Sequence, residues 1–277
     1  MQAMNLPSAC FCDCTASATP PKFYEGSFAA SISIVTPNKR ATAGPADRYR
    51  ALLAKAREKD VVYGYETTVG AGLPVIGTLH DLVACGDSIS RIEAVLSGTI
   101  SYIFNNLKAG LAFSSLVLDA KAKGYTEPDP RDDLGAVDIA RKTLILAREA
   151  GFALDYKDIA IQPLIPEQLV KVPSVDEFLA LLPGADAAMD EKVAAAASRG
   201  KVLRYVATIT PEGAALRLQE YGPESPFFNL SGTDNLVMFS TARYSSNPLV
   251  VRGPGAGAEV TAGGVFADIL KTAQSYL

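Results

Sequence analysis

The apolar side chains in the first part of the chain recur with the spacing of alternating strands and helices. Residues 10–19, 31–35 (SISIV) and 61–66 (VVYGYE) are rich in β-branched and aromatic residues, which predicts three strands. Residues 46–59 repeat Leu and Ala on one side, as in an amphipathic helix. A strand, a helix and a strand in this order are typical of a doubly wound sheet in the α/β class.

One predicted helix, at 130–150, has an unusually clear beginning. Asp129 can cap its first turn, Pro130 suits the first helical position, and Gly151 follows its end. Asp138 and Lys142 lie four residues apart within it, so both side chains project from one face. Further helices are predicted at 74–85, 99–109, 113–123, 184–199 and 260–277.

The later part of the chain changes character. Residues 201–209, 215–221, 235–243 and 248–252 alternate apolar and polar side chains, as strands with one solvated face do. The segment Pro211-Glu212-Gly213 predicts a hairpin turn between the first two. These patterns predict an α+β region with an antiparallel or mixed sheet packed against helices.

Composition restricts the class of protein. The chain has 277 residues, of which 48% are hydrophobic and 20% charged, enough for a large buried core. The net charge is −4 with acids and bases interspersed, so no basic face indicates a nucleic-acid partner. No apolar run reaches the roughly 18 to 20 residues that span a bilayer, and the N-terminal stretch lacks the features of a signal peptide. We therefore expect a soluble intracellular protein without a membrane partner.

The cysteines and the single histidine limit the chemistry further. Cys10, Cys12 and Cys14 alternate, Cys85 stands alone, and His80 is the only histidine. This spacing favours small buried or half-buried strand residues over a metal or redox site, which stays open as the alternative. Hydrolase schemes that pair Ser or Cys with His would depend on His80 alone.

The Asp138–Lys142 pair has two interpretations. Such pairs are usually solvated and contribute little to stability. Here Leu134, Ile145 and Leu146 neighbour the pair on the helix surface, which indicates partial burial. A desolvated lysine held by a carboxylate can donate a proton near neutral pH.

Three loops carry further candidate chemistry. VGAGLP at 69–74 follows Glu66, and a carboxylate with several free carbonyls suits a hard cation, although a tight turn explains the same glycines. Lys39 follows a predicted strand, where it can face a cofactor or water. GPGAG at 253–257 lies near the C-terminus, so it is not a dinucleotide fingerprint, and the chain has no GxGxxG.

Seven segments together resemble homoserine dehydrogenase, and most closely the dehydrogenase half of the plant-type bifunctional aspartate kinase–homoserine dehydrogenase. The resemblance runs from about residue 10 to the C-terminus, in matching order. The segments are CTAS at 14–17, VTPNK at 35–39, YETTVGAGLPVI at 65–76, LSGTISYIFNNL at 96–107, GYTEPDPRDDLGAVDIARK at 124–142, KVLRYV at 201–206 and VRGPGAGAEVTAGGVFADIL at 251–270.

The resemblance implies NAD(P)H-dependent interconversion of aspartate 4-semialdehyde and homoserine, on the route to threonine, methionine and isoleucine. It implies that Lys142 exchanges a proton with the substrate oxygen. It implies further that Asp138 and Glu127 bind the substrate, Glu127 through the amino group. By the same resemblance, Thr15 and Lys39 contact the nicotinamide cofactor, NADP(H) or NAD(H).

Two more sites follow from the resemblance alone. Gly257 matches the glycine of a C-terminal loop that touches the cofactor. Glu66 and the backbone carbonyls of Val69, Ala71 and Leu73 match a structural sodium site. A homodimer is likewise implied by the family, and plastid residence is implied by the plant-type resemblance.

The chain also departs from the family pattern. The family's first strand, GxGxxG turn and helix would precede the CTAS segment, so we expect a truncated Rossmann-type domain at 1–65, completed by 253–277. We expect a catalytic and dimerisation domain at 66–252. The family usually reads DDLSG where this chain has Leu134-Gly135-Ala136, a change of one small pair for another that we expect to be tolerated.

A functional expectation follows from that departure. Without the pyrophosphate-binding turn, the isolated chain is expected to bind the cofactor weakly or not at all. The alternative to a dehydrogenase is therefore a non-catalytic homologue that dimerises with full-length subunits of a bifunctional enzyme, or one that only binds an amino acid.

Overall fold

The computed structural model describes residues 8–276, which fold into nine strands and twelve α-helices. The strands are β1 Cys10–Cys12, β2 Ser33–Val35, β3 Tyr63–Gly64, β4 Ile89–Val95, β5 Ile159–Ile161, β6 Val202–Thr210, β7 Gly213–Tyr221, β8 Asp234–Thr241 and β9 Leu249–Pro254. The helices are α1 Tyr24–Ala29, α2 Lys39–Thr42, α3 Ala46–Glu58, α4 Val75–Ala84, α5 Gly98–Asn106, α6 Phe113–Ala122, α7 Pro130–Leu134, α8 Val137–Glu149, α9 Glu167–Val170, α10 Val175–Leu181, α11 Asp186–Ala197 and α12 Ala258–Gln274.

The first part of the chain forms a three-stranded parallel sheet. Strand β2 lies in the middle and pairs with β1 on one side and β3 on the other. Tyr24 and Phe28 of α1, Ile34 of β2 and Leu52 of α3 make its core. The C-terminal helix α12 returns to pack on β2 and β3. The predicted α/β class is confirmed, while the predicted boundaries, whose first seven residues lie outside the described range, stay a prediction.

The second sheet has six strands in the order β5-β7-β6-β4-β8-β9. Only β5 and β7 pair in parallel and the other neighbours are antiparallel, so the predicted mixed sheet is confirmed. Strands β4 and β5 had no sequence prediction. Helix α8 contacts α2, α4, β5, β6 and β7, so it connects the two sheets.

The two faces of the large sheet bury different clusters. Ile92, Tyr205 and Phe239 point to the face that the helices cover and belong to the main core. Val95 and Val206 point to the other face, where the loop after β7 covers them. Because side chains alternate along each strand, β4 and β6 contribute to both clusters.

The predicted single helix at 130–150 is wrong. It consists of α7 and α8, separated by Gly135 and Ala136. The two intervening amides donate to carbonyls of α7, and Ala136 has a φ of 56°, which turns the chain before α8 begins. The predicted N-terminus is confirmed, because Asp129 Oδ1 accepts from the amide of Arg131 at 3.0 Å. The catalytic candidates therefore lie in the first turns of a separate helix.

The cysteine expectation is also wrong for most of the set. Cys12, Cys14 and Cys85 are exposed, and only Cys10 is half-buried. The predicted strand at 10–19 extends only to Cys12, because the following residues form a turn around a buried aspartate. No helix of the described residues is both long and apolar enough to cross a membrane.

Candidate active site

A cleft of about 690 Å³ opens where the carboxyl ends of β1 and β2 face α7 and α8. Four of the predicted site residues line it, namely Thr15, Lys39, Glu127 and Asp138. Ser97, which caps the N-terminus of α5, contributes to the same wall. The carboxyl ends of parallel strands are where open α/β sheets bind ligands.

Asp138 joins the two predicted lysines. Its Oδ2 lies 2.9 Å from Lys142 Nζ, and its Oδ1 lies 3.3 Å from Lys39 Nζ. Lys142 Nζ also donates to the backbone carbonyl of Leu96 at 2.8 Å. An ammonium has three hydrogens, so these two contacts leave Lys142 one N–H for a further acceptor.

The three charges alter one another's protonation. Burial raises the pKa of Asp138, but Lys142 and Lys39 together outweigh it and bring the pKa down to about 2. Burial lowers the pKa of Lys39 below its ordinary value, and the neighbouring Lys142 and Arg141 lower it further. Asp138 raises this pKa, but the net shift is downward. The carboxylate is therefore ionised at neutral pH and can hold both cations in place.

A buried aspartate that the sequence analysis missed holds the Thr15 turn. Asp13 is 2% exposed, and its Oδ1 accepts from both the amide and the hydroxyl of Thr15. Its Oδ2 accepts from the Tyr24 hydroxyl and from Asn38 Nδ2. Burial raises the pKa of Asp13, but these donors outweigh it and the pKa falls. The turn before Thr15 is thereby tied to the loop before Lys39.

The loop that carries Glu127 is held by a second missed residue, Asp133. The backbone amide of Glu127 donates to Asp133 Oδ2 at 2.8 Å, and the Thr99 hydroxyl lies 2.8 Å from Asp133 Oδ1. The Glu127 side chain itself is exposed. The only sequence signal for Asp133 was its place within the resembling segment at 124–142.

The predicted sodium loop lies outside the cleft lining. Glu66 is buried, and its two oxygens accept from the amides of Ile76 and Gly77 at the start of α4, each at 2.7 Å. Burial raises the pKa of Glu66 in spite of these donors. The loop turns through Ala71, which has a φ of 54°.

Two carbonyl donors of the predicted sodium site, Val69 and Leu73, lie on either side of that turn. The turn packs against α12, where a Cβ added at Gly264 would lie 3.0 Å from the Cα of Gly72. This close approach accounts for the glycine in α12. The loop and the C-terminal helix are thus one packed unit.

Gly257 is not among the residues that line the cleft. It precedes α12 with a φ of 124°, which a residue with a side chain rarely adopts. The adjacent Ala256 lies beside the start of α5, because a Cβ added at Gly98 would be 3.8 Å from its Cβ. The structure therefore brings Thr15, Lys39, Glu127 and Asp138 to one cleft and joins Lys142 to them through Asp138. Gly257 and the Glu66 loop lie apart from that group.

The family model for homoserine dehydrogenase matches residues 74–270. A bifunctional aspartokinase/homoserine dehydrogenase of Daucus carota, described as chloroplastic, is 50% identical over 274 residues. That alignment covers 98% of this chain but 30% of the carrot protein, so the chain spans less than a third of its length.

A shorter relative and a solved structure extend the comparison. The homoserine dehydrogenase of Schizosaccharomyces pombe is 43% identical, with 94% of this chain and 71% of that protein covered. A hyperthermophilic archaeal homoserine dehydrogenase solved in complex with NADPH superposes with a TM-score of 0.73. It is 24% identical, and the match covers 97% of this chain and 72% of that one. At that identity the structural likeness concerns the fold.

Proposed function

The chain belongs to the homoserine dehydrogenase family, and from this premise we propose that it interconverts L-aspartate 4-semialdehyde and L-homoserine with NAD(P)H. The observation that supports the proposal most directly is the position of Asp138 between Lys142 and Lys39 in a cleft that Thr15 and Glu127 also line. The reaction serves the synthesis of threonine, methionine and isoleucine.

The cleft fits a nicotinamide cofactor. Its volume of about 690 Å³ and the exposed Thr15 and half-buried Lys39 at the ends of parallel strands suit a flat polar ring. Thr15 and Lys39 would hold the ring, and Gly257, which follows Ala256 beside the start of α5, would contact the cofactor. A bound cofactor supplies or accepts the hydride at the substrate carbon. The residues from 8 to 65, with those from 253, form the proposed nucleotide-binding part, and 66–252 form the catalytic part.

The side chains around Asp138 have distinct proposed tasks. Lys142 gives its remaining N–H to the substrate oxygen and transfers a proton as that oxygen gains negative charge. Asp138 fixes the direction of the Lys142 ammonium through its 2.9 Å ion pair. Glu127, which is exposed in the cleft, binds the substrate ammonium group and so orients the reacting carbon.

We propose that the Glu66 loop binds a sodium ion. Each Glu66 oxygen accepts one amide hydrogen and keeps a lone pair for a cation, and the carbonyls of Val69, Ala71 and Leu73 are hard donors. Burial raises the pKa of this carboxyl, so a bound cation would favour its ionised form. A direct check is the melting temperature in sodium chloride against choline chloride at equal ionic strength, where Glu66→Gln should abolish any difference.

The proposed assembly and location follow the relatives. We include in the proposal a homodimer that forms through the mixed-sheet part, and residence in a plastid like that of the carrot relative described as chloroplastic. The bifunctional relatives join this activity to a kinase, so association with such a protein is a further part of the proposal.

The test is consumption of NADPH by the purified chain on addition of aspartate 4-semialdehyde, with Lys142→Met as the inactive control. Methionine preserves most of the lysine stem and removes its charge. Loss of turnover in that variant, with an unchanged melting temperature, supports the proposal. Turnover close to the wild-type rate in Lys142→Met would contradict it, as would no turnover when NADPH and homoserine both bind.

A further inference from the structure

The Thr99 hydroxyl makes two contacts that a single proton cannot satisfy. Its oxygen lies 2.5 Å from the backbone carbonyl of Tyr125 and 2.8 Å from Asp133 Oδ1. A hydroxyl has one hydrogen to donate, and a carbonyl can only accept. If Asp133 is ionised, the Tyr125 carbonyl and the Asp133 carboxylate both need the one hydrogen of Thr99. One of these two acceptors then faces the Thr99 oxygen with no proton between them.

A proton on Asp133 resolves the conflict. Thr99 then donates to the Tyr125 carbonyl, and Asp133 Oδ1 donates to the Thr99 oxygen. The other oxygen, Oδ2, still accepts from the amide of Glu127 at 2.8 Å. Every polar atom in this set has a partner, and Thr99, at 6% exposed, has little access to water as a substitute.

The charges around Asp133 favour the neutral form. Burial raises the pKa of Asp133, and the negative charges of Glu127 and Asp132 raise it further. The hydrogen bonds from the Glu127 amide and the Thr99 hydroxyl lower it, but the net pKa is raised. The adjacent Arg131 turns away to pair with Asp129. The charged residues on the surrounding elements are Glu127 and Asp129 on the loop, Arg131 and Asp132 on α7, and Asp138, Arg141 and Lys142 on the first two turns of α8, whereas α5 has none.

We infer that Asp133 is a protonated carboxyl that positions Glu127, by linking the Glu127 amide to Thr99 and through it to the Tyr125 carbonyl. It is a positioning residue, because its contacts are to the loop that presents the Glu127 side chain. The inference rests on the proposed function in one respect, namely that Glu127 binds the substrate ammonium group. A consequence is that the substrate-binding loop is held best while Asp133 keeps its proton.

Asp133→Asn is the decisive variant, since an amide copies a protonated carboxyl. Its oxygen accepts from Glu127 and its NH₂ donates to Thr99, so the network survives without a titrating group. The first measurement is the infrared difference between wild type and Asp133→Asn at neutral pH. A protonated carboxyl band in the wild type is expected, and a carboxylate band in its place would overturn the inference. Neither result depends on turnover, so failure of the proposed function is seen separately.

The pH dependence of the free energy of unfolding provides an independent test of the protonated Asp133. The ordinary carboxyl pKa is 3.8 and that of Asp133 is raised, so the wild type loses stability relative to Asp133→Asn as pH rises above 3.8, until the folded pKa is passed. An ionised, favourably bound Asp133 would give the opposite slope, which would refute the inference.

The positioning role has its own readout. Asp133→Ala should raise KM for the amino-acid substrate about fivefold, the value of one neutral hydrogen bond, and change kcat less. Asp133→Asn should restore KM toward that of the wild type, and its KM should not rise with pH as that of the wild type does. If both variants raise KM equally at every pH, the protonated network is not what positions Glu127.

Discussion

Helix α8 carries a polar cluster centred on one carboxylate at each end, and the two clusters differ in burial and in the kind of partner. At the first turn, Asp138 is half-exposed and holds the ammonium groups of Lys39 and Lys142. At the last turn, Glu149 is buried and accepts from the hydroxyls of Tyr49 and Tyr65 at 2.7 and 2.9 Å. Its other oxygen pairs with His80.

The difference in partners matches the difference in helix position. The N-terminus of a helix stabilises a nearby negative charge and the C-terminus opposes one, so Asp138 is favoured where Glu149 is not. Glu149 is retained by donors from three other segments, the α3 tyrosine, the residue after β3 and the α4 histidine. Burial, followed by the proximity of Glu149, raises the pKa of both tyrosines.

The comparison separates a reactive cluster from a structural one. Around Glu149 the hydroxyls of Tyr49 and Tyr65 both donate to the carboxylate and His80 pairs with it, and the result is a junction between α3, α4 and α8. Around Asp138 the Lys142 ammonium keeps one hydrogen for which residues 8–276 supply no acceptor, and that group lies beside the cleft. An incompletely satisfied polar group next to a cavity is what a substrate can complete.

The largest expected effect is on catalysis at the first turn. Lys142→Met should lower kcat by about 10³-fold, within the range for loss of a general acid, and should shift the melting temperature little. Steady-state kinetics and thermal unfolding of the same samples check this. A rise in KM with kcat intact would mean that Lys142 only binds substrate, and the cluster would then not be the reactive one.

The second effect is on stability at the last turn. Glu149→Ala leaves two buried tyrosine hydroxyls without their acceptor, so we expect a loss of about 3 kcal/mol in the free energy of unfolding. Glu149→Gln, which keeps an accepting oxygen, should cost about 1 kcal/mol. Urea unfolding measures both. Equal losses in the two variants would show that charge, rather than hydrogen bonding, holds the junction.

The sequence predicted the part of this comparison that is local. The spacing of Asp138 and Lys142 by four residues fixed their common face, and the ion pair follows from it. The contact of Lys39 with Asp138 joins residues far apart in the chain, which no pattern within a helix can reveal. The Glu149 cluster likewise has four members from four segments, and none of them was predicted.

The fold shows the same limit. Helices such as α3, α4 and α6 were predicted almost to the residue because their apolar stripes are continuous. Strand β4 was missed although it lies in the middle of the large sheet. A register irregularity between Ile89 and Arg91 breaks its alternation, and its partners β6 and β8 lie far along the chain. Ala136 was predicted to be helical as part of a single helix at 130–150, whereas the structure has it left-handed.

A third test concerns the entry to α8, at Ala136. A residue with a Cβ costs about 1–2 kcal/mol in the left-handed conformation. Glycine avoids this strain, but its unfolded chain has more conformational freedom to lose, which offsets part of the gain in stability. Ala136→Gly should therefore stabilise the protein by about 0.5 kcal/mol. Ala136→Val should destabilise it by about 1 kcal/mol or more, because a β-branched side chain fits φ above zero poorly. Chemical unfolding of the two variants measures these changes in the free energy of unfolding. A valine variant more stable than the wild type would contradict the claim that Ala136 is strained.

The smallest effect distinguishes the two clusters by pH. Glu149 raises the pKa of His80 above its ordinary 6.5 through their hydrogen bond. The stability from that pair is therefore complete below 6.5 and is lost as pH rises through the folded value. Asp138, with its pKa lowered to about 2 from 3.8, contributes stability that is present above 3.8 and lost as pH falls toward 2.

The two ends of α8 should thus weaken at opposite ends of the pH scale. His80→Gln should flatten the alkaline decline, by no more than about 1 kcal/mol since the ring is half-exposed, and leave the acid side unchanged. Asp138→Asn should do the reverse. Unfolding free energies of both variants across pH measure the two slopes. If His80→Gln instead altered the acid limb, the junction would be titrating through another group, and the assignment of His80 to Glu149 would fail.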